Sequence, residues 1–290
     1  MKNTSSFEIT PPVLQRPGTM RATPPIKTVT LSTGVTLEYV EQGDPSRVPV
    51  LMLHGITDSW HSFAPVLPHL PRYVHAIALT QRGHGDSDRP AIGYRTRDFA
   101  ADVAAFLEAL DLGPAIVVGH SMGSTNALRF AIDCPQRTRG LILVGAFAAY
   151  RNNPVIADFW NTGVSGLTDP IDASFVREFQ DSTLAQPVAP GLIDIAVRES
   201  LKVPARVWRE ALAGCLDDDF AQELGEIVAP TLVLWGDRDA LIPYSDQQTL
   251  VQAIIDSRLI VYQGAGHAPH WEEPARFAAQ ISAFVAALEN

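Results

Sequence analysis

The sequence lacks the excess of basic residues that polyanion-binding proteins carry, and it has few of the cysteines that are typical of proteins in an oxidising compartment. It carries 22 Lys and Arg against 32 Asp and Glu, a formal net charge of −10, and such a balance repels nucleic-acid phosphates and anionic lipid. We therefore expect no nucleic-acid partner. Only two cysteines are present, Cys134 and Cys215, too few for a disulfide framework, which favours reduced thiols and a cytoplasmic location.

Long apolar runs are also absent. The longest stretches, such as residues 141–150, are about half the roughly 18 residues that indicate a spanning helix, so we expect no membrane span. The N-terminus lacks the apolar core of a secretory signal. Pro, Ser and Thr are frequent in residues 1–26, which predicts an extended N-terminal arm.

Short apolar runs recur at 48–53, 75–79, 115–118, 141–144, 231–234 and 259–262. They are apolar on both faces, as in parallel strands covered by helices on both sides. Helical periodicity lies between them, for example at Phe99, Val103 and Phe106. Ahead of them, residues 28–40 form a hairpin pattern around Gly34. The alternation predicts an α/β fold with a doubly wound, mostly parallel sheet.

One stretch interrupts this alternation. Residues 148–224 contain no apolar strand pattern, but they contain helix-like segments with several aromatic side chains. We interpret them as a helical cap inserted into one core domain, which comprises residues 27–147 and 225–290.

The segment Gly119-His120-Ser121-Met122-Gly123 joins a predicted strand to a predicted helix. A strand-to-helix turn that exposes a serine brings neighbouring backbones close together, so the residues two before and two after it must be small. The same turn points the N–H of Met122 at an anion forming beside Ser121. The pattern predicts a nucleophile elbow with Ser121 as the nucleophile.

A serine nucleophile needs a base, and the base needs a carboxylate to orient it. His267 follows the last predicted strand in a glycine-containing loop, and His270 is its competitor. Asp239 and Asp237 both follow the strand 231–234, at the edge where open α/β sheets bind ligands. We favour His267 and Asp239.

The strand 48–53 ends in His54-Gly55-Ile56. The glycine allows the N–H of Ile56 to face the same cavity as that of Met122, and two such donors form an oxyanion hole. For the His54 side chain we expect a structural role, bonded to neighbouring backbone.

A metal site is another hypothesis, because His54, His84 and His120 all follow strands. The sequence has no HExxH or HxHxDH spacing and no GxGxxG after a first strand, so we expect no metal and no dinucleotide or other cofactor.

The order Ser121, Asp239, His267, with His-Gly ahead of GHSMG, resembles the α/β-hydrolase superfamily. Residues 81–87 resemble that family's loop after the fourth strand, and residues 266–274 resemble its histidine loop. The resemblance implies a serine hydrolase that cleaves an ester or similar acyl bond. Carbon–carbon bond hydrolysis and lactone hydrolysis on the same triad are alternatives, and so is a non-enzymatic, ligand-binding receptor. Epoxide hydrolases and haloalkane dehalogenases are disfavoured because they need an aspartate where Ser121 stands.

The implied substrate is a small, largely apolar molecule. Trp160 and Trp208 of the insertion and Trp60 near the His-Gly loop are the candidates for its pocket. The alternative for each is that it packs the cap on the sheet.

Overall fold

The computed structural model describes residues 24–151 and 153–289, and it contains one eight-stranded sheet. The strands are β1 (Ile26–Thr30), β2 (Thr36–Gln42), β3 (Pro49–Leu53), β4 (His75–Leu79), β5 (Ala115–His120), β6 (Thr138–Val144), β7 (Thr231–Gly236) and β8 (Ser257–Tyr262). Their order is β1-β2-β4-β3-β5-β6-β7-β8. β2 pairs antiparallel with β1 and β4, and every other pair is parallel.

Helices connect and cover these strands. They are α1 (Thr96–Ala109), α2 (Met122–Asp133), α3 (Pro154–Thr162), α4 (Ala173–Ser182), α5 (Leu192–Leu201), α6 (Ala205–Asp217), α7 (Tyr244–Ala253), α8 (Pro269–Glu272) and α9 (Pro274–Glu289). Short 3₁₀ helices occur at Trp60–Phe63, Leu67–His69, Pro135–Arg137, Val164–Gly166 and Leu224–Glu226. In the described part of the chain, no helix is both long and apolar enough to cross a bilayer.

The core lies on both faces of the sheet. Side chains of a strand alternate between faces, and in β3 Leu51 and Leu53 belong to one buried cluster while Val50 and Met52 belong to another. All four are fully buried, as the uninterrupted apolar runs predict. The predicted doubly wound α/β fold is therefore confirmed, and the hairpin at residues 28–40 is present as β1 and β2.

Four helices, α3 to α6, lie between β6 and β7, and we call this segment the insertion. Their apolar faces form a third buried cluster, which includes Val176, Val207 and Trp208 together with Met122 at the start of α2. The boundaries predicted for the cap, 148–224, stay a prediction. The predicted arm lies outside the described residues except for its last three, and β1 begins within it at Ile26.

Candidate active site

Ser121 lies at the sharp turn between β5 and α2. Its backbone has φ 53° and ψ −119°, a strained conformation that costs about 1–3 kcal/mol in a residue other than glycine. Its N–H donates to Val144 O at 2.9 Å, which anchors the turn to the neighbouring strand β6. The surrounding sheet therefore holds the serine in a conformation that it would not adopt alone.

The two glycines of the elbow stand where no side chain fits. A Cβ on Gly119 would lie 2.3 Å from Gly123 O, and a Cβ on Gly123 would lie 2.2 Å from Leu53 O. Both distances are far below van der Waals contact. The crossing of β5, α2 and β3 therefore requires glycine on either side of Ser121.

A histidine and a carboxylate lie at the same edge of the sheet. His267 Nδ1 is 2.8 Å from Asp239 Oδ2, and both side chains are almost completely buried. Asp239 Oδ1 accepts from the N–H of Leu241 and of Ile242, at 2.8 and 2.9 Å. These bonds fix the carboxylate, which in turn orients the imidazole.

The second ring nitrogen of His267 is not engaged by any described residue. His267 Nε2 is buried and has no hydrogen-bond partner in the described residues, and both His267 and Ser121 line one cavity. The His267 N–H donates to Thr183 O at 2.8 Å. Because Thr183 directly follows α4, the insertion also contributes to the position of the histidine loop.

The competing residues have other partners. His270 is fully buried beside Ser62, with Nε2 3.1 Å from Oγ, and burial together with the charge of His267 lowers its pKa to about 3. It does not line the cavity. Asp237 is exposed and accepts from the Gly264 N–H at 2.5 Å. The geometry favours His267 and Asp239 over both.

Two backbone donors are available beside Ser121. Ile56 and Met122 both line the cavity, and within residues 24–151 and 153–289 neither N–H donates to a protein acceptor.

The His54 side chain is bonded to neighbouring backbone, as expected from the sequence. Its Nε2 accepts from the Gln81 N–H at 3.0 Å, so its Nδ1 carries the proton and donates to Gly55 O at 2.7 Å. Burial and His84 lower the pKa of His54, which keeps it neutral.

The remaining strand-end histidines are bonded to backbone. His84 Nδ1–H donates to Arg82 O at 2.7 Å, and His120 Nε2–H donates to His267 O at 3.1 Å. Burial lowers the pKa of both imidazoles, that of His84 to about 4. Among the residues that the structure describes, no group of three His, Cys, Asp or Glu side chains is arranged to hold a metal ion.

The cavity above Ser121 has a volume of about 400 Å³ and a mainly apolar lining. Three phenylalanines on α3 and α4 line it, and the rings of Phe159 and Phe179 stack with centroids 5.0 Å apart. The aromatic lining residues are Phe147, Tyr150, Phe159, Phe175, Phe179 and Trp271.

The tryptophans predicted for this pocket are not among its lining residues. Trp208 is fully buried behind Phe179, with ring centroids 5.6 Å apart. Trp60 stacks on His61 at 3.9 Å, and Trp160 packs among the apolar residues of the insertion. The side chains of all three tryptophans therefore make packing contacts outside the cavity lining. The spacing of Phe175 and Phe179, four residues apart on one helix, is the signal that could have identified the wall.

Two exposed carboxylates are the charged groups, histidine apart, that the described lining residues contribute at neutral pH. Asp158 and Glu178 are exposed, on α3 and α4, and Asp58 is buried. None of the described lining residues is a lysine or an arginine. The cavity therefore attracts neutral or cationic molecules and disfavours anions.

Known proteins are similar to this chain in sequence and in fold. The family model for the alpha/beta hydrolase fold matches residues 48–274. A non-heme chloroperoxidase of Streptomyces lividans is 29% identical over 280 residues, covering 89% of this chain and 99% of that protein. A 2-hydroxy-6-oxo-2,4-heptadienoate hydrolase of Pseudomonas putida is 29% identical over 252 residues, covering 82% and 89%.

A solved structure, an esterase from Exiguobacterium antarcticum, superposes with a TM-score of 0.78 at 22% identity, covering 89% of this chain and 98% of that one. At this level of identity the superposition supports the fold. The family model covers well over half of the sequence, and the relatives support a hydrolytic enzyme. The chain belongs to the α/β-hydrolase fold family.

Proposed function

We propose that the protein is a serine hydrolase that cleaves a carboxylic ester of a small, largely apolar substrate without negative charge. The observation that carries the proposal is the buried pair of His267 and Asp239, whose free Nε2 opens into the same cavity as the strained Ser121. A serine hydroxyl is a weak nucleophile at neutral pH, and this pair supplies the oriented base that it needs.

In this mechanism Ser121 Oγ attacks the ester carbonyl while His267 Nε2 takes its proton. Asp239 holds the tautomer in which Nδ1 carries hydrogen, and it stabilises the imidazolium that forms. The N–H groups of Ile56 and Met122 stabilise the oxyanion, and each such donor contributes about 3 kcal/mol to the transition state. His267 then protonates the leaving alkoxide, and a water activated by the same nitrogen hydrolyses the acyl-enzyme.

The charge of the cavity favours an uncharged ester over the ring-fission alternative. The relative from Pseudomonas putida is named for a carboxylate-bearing diene, and such a substrate calls for a cationic partner. Among the described residues that line this cavity there are two exposed carboxylates, those of Asp158 and Glu178, and no lysine or arginine. Ester hydrolysis converts a neutral substrate into a carboxylate, so the same charges would help to expel the acid product.

A substrate panel tests the proposal. Neutral acyl esters of 4-nitrophenol would be compared with the hemisuccinate ester of 4-nitrophenol, which has similar size and one added negative charge, and with lactones and ring-fission diketones. We expect kcat/KM for the hemisuccinate to be at least about tenfold lower, which corresponds to about 1.4 kcal/mol. Preference for the anionic ester or for a diketone would overturn the assigned substrate class. Ligand binding with no turnover of any of them would favour a receptor.

A further inference from the structure

Asp58 is a buried carboxyl group in the wall of the catalytic cavity that the triad does not use. Only 5% of the residue is exposed. It lies two residues after Ile56, and its N–H donates to Gly55 O at 3.3 Å, so it closes the turn that carries the Ile56 amide. It also lines a second, much smaller cavity, together with Ser62 and Glu199.

Two helices of the insertion hold this turn through polar side chains. Gln180 of α4 donates from Nε2 to Asp58 Oδ1 at 3.4 Å and to Ser200 Oγ at 2.9 Å. Ser200 of α5 lies 3.0 Å from Thr57 Oγ1. Gln180, Ser200 and Thr57 are all buried, so the contacts form a continuous polar cluster between the insertion and the turn.

The turn needs such support, because Thr57 has a φ of 69°. This region is costly for a β-branched residue. Thr57 is bonded on one side to Ile56 and on the other to Asp58, so relaxation of its backbone would move the Ile56 N–H. The polar cluster around Asp58 therefore opposes a movement that would disassemble the oxyanion hole.

The charged and titratable groups around Asp58 include no direct cationic partner in the described residues. Glu199 of α5 faces it across the smaller cavity and is itself within 3.0 Å of Lys202 and 3.9 Å of His61. On the other side Ser62 Oγ, 3.2 Å from Asp58 Oδ2, connects to the neutral His270. Burial, reinforced by the charge of Glu199, raises the pKa of Asp58 to about 8.

We propose that Asp58 is a positioning residue which acts as a neutral carboxylic acid: with Gln180 and Ser200 it fixes the loop that presents the Ile56 amide. Its ionised form would place a buried negative charge two residues from a donor to the oxyanion, and would oppose the charge that develops in the transition state. Activity should then be lost when this acid ionises. The inference rests on the proposed ester hydrolysis.

The pH dependence of Asp58→Asn tests the charge. With a simple alkyl ester followed in a pH-stat, we expect kcat of the wild-type protein to fall above about pH 8, approaching tenfold per pH unit. The Asn variant keeps the shape and the neutral hydrogen bonds but has no group to ionise, so the alkaline limb should disappear from its own pH profile, whatever its activity at pH 7. An unchanged alkaline limb in the variant would overturn the proposal.

A pair of substitutions on α4 tests the positioning. Gln180→Leu removes the bonds to Asp58 and Ser200, and we expect kcat to fall by about tenfold or more with KM within about twofold. The matched control is Arg177→Ala, which breaks the exposed ion pair between Arg177 and Asp194 at 2.6 Å and so loosens the same two helices at the surface. Equal losses in both variants would show that only helix anchoring matters, and would overturn the role of Gln180.

A readout without turnover separates this inference from the proposed function. In a Ser121→Ala protein with ¹³C-labelled aspartate carboxyls, the signal that is lost in the double variant with Asp58→Asn should titrate near pH 8. Titration near pH 4 would overturn the inference and leave the ester hydrolysis untouched. Full activity of Ser121→Ala would instead overturn the proposed function, whatever the titration of Asp58.

Discussion

Replacement of Asp239 by asparagine is the most direct test of the assigned acid. Asparagine preserves the size of the side chain, and its oxygen can still accept from the N–H groups of Leu241 and Ile242. Its Nδ2, however, would face the protonated Nδ1 of His267 at 2.8 Å, and two donors cannot pair. The imidazole would therefore adopt the other tautomer, in which Nε2 carries hydrogen and cannot accept the proton of Ser121.

The expected loss follows from this change of tautomer. We expect kcat to fall by about 10⁴-fold with little change in KM, which corresponds to about 5.5 kcal/mol. Asp237→Asn is the matched control, because Asp237 is exposed and bonds only the Gly264 N–H in the described structure. For this control we expect kcat to change by less than about twofold.

Steady-state kinetics with a neutral 4-nitrophenyl ester at pH 7.5 measure both variants, with circular dichroism and thermal unfolding as checks on the fold. A kcat for Asp239→Asn within tenfold of the wild-type value would refute the tautomer argument. A larger loss in Asp237→Asn would move the acid to that position.

Other substitutions and conditions test separate parts of the structure. Ser121→Ala should remove nearly all ester turnover and leave the melting temperature within a few degrees; retained turnover measured by product release would contradict the nucleophile. Gly119→Ala puts a Cβ 2.3 Å from Gly123 O, so we expect large losses of both kcat and stability, and a variant as stable as the wild type would contradict this crowding. Buried His84 and His270 have pKa values of about 4 and about 3, below the unperturbed 6.5. Their neutral forms therefore stabilise the native state above pH 6.5, and this stability is lost as the pH falls: for His84 by roughly 3 kcal/mol near pH 4. Melting temperatures should fall between pH 7 and pH 4, and they should fall less in His84→Asn. An equal fall in both proteins would disprove the lowered pKa of His84 as a cause.

The sheet was predictable from the sequence, and so was the meeting of Ser121, Asp239 and His267 at one edge of it, because the information is local. Each central strand is a short apolar run. Ser121 directly follows such a run, and Asp239 and His267 lie three and five residues after the ends of theirs. Since the carboxyl ends of parallel strands lie at one edge, order along the chain was enough to place all three together. The same sequence pattern predicts that residues 119 and 123 must be small, in agreement with the clashes that a Cβ would make at either position.

The pocket and the cluster around Asp58 depend on how the insertion packs, which the sequence pattern does not encode. The rotation of α4 puts Phe175 and Phe179 in the cavity wall and leaves Trp208 behind them. Gln180 and Asp58 are 122 residues apart in the chain. Their contact exists only because the insertion docks over the loop after β3, and no local periodicity predicts that.

The position of the insertion divides the residues of the proposed triad between two halves of the chain. Ser121 precedes α3, while Asp239 and His267 follow α6. A break in the exposed segment at residues 189–191 would leave Ser121 on one fragment and His267 on the other. Contacts such as the pairing of β6 with β7 and the hydrogen bond from Trp271 Nε1 to Ser62 O would reunite them. Esterase activity of the co-expressed fragments would therefore serve as a direct signal of their reassembly.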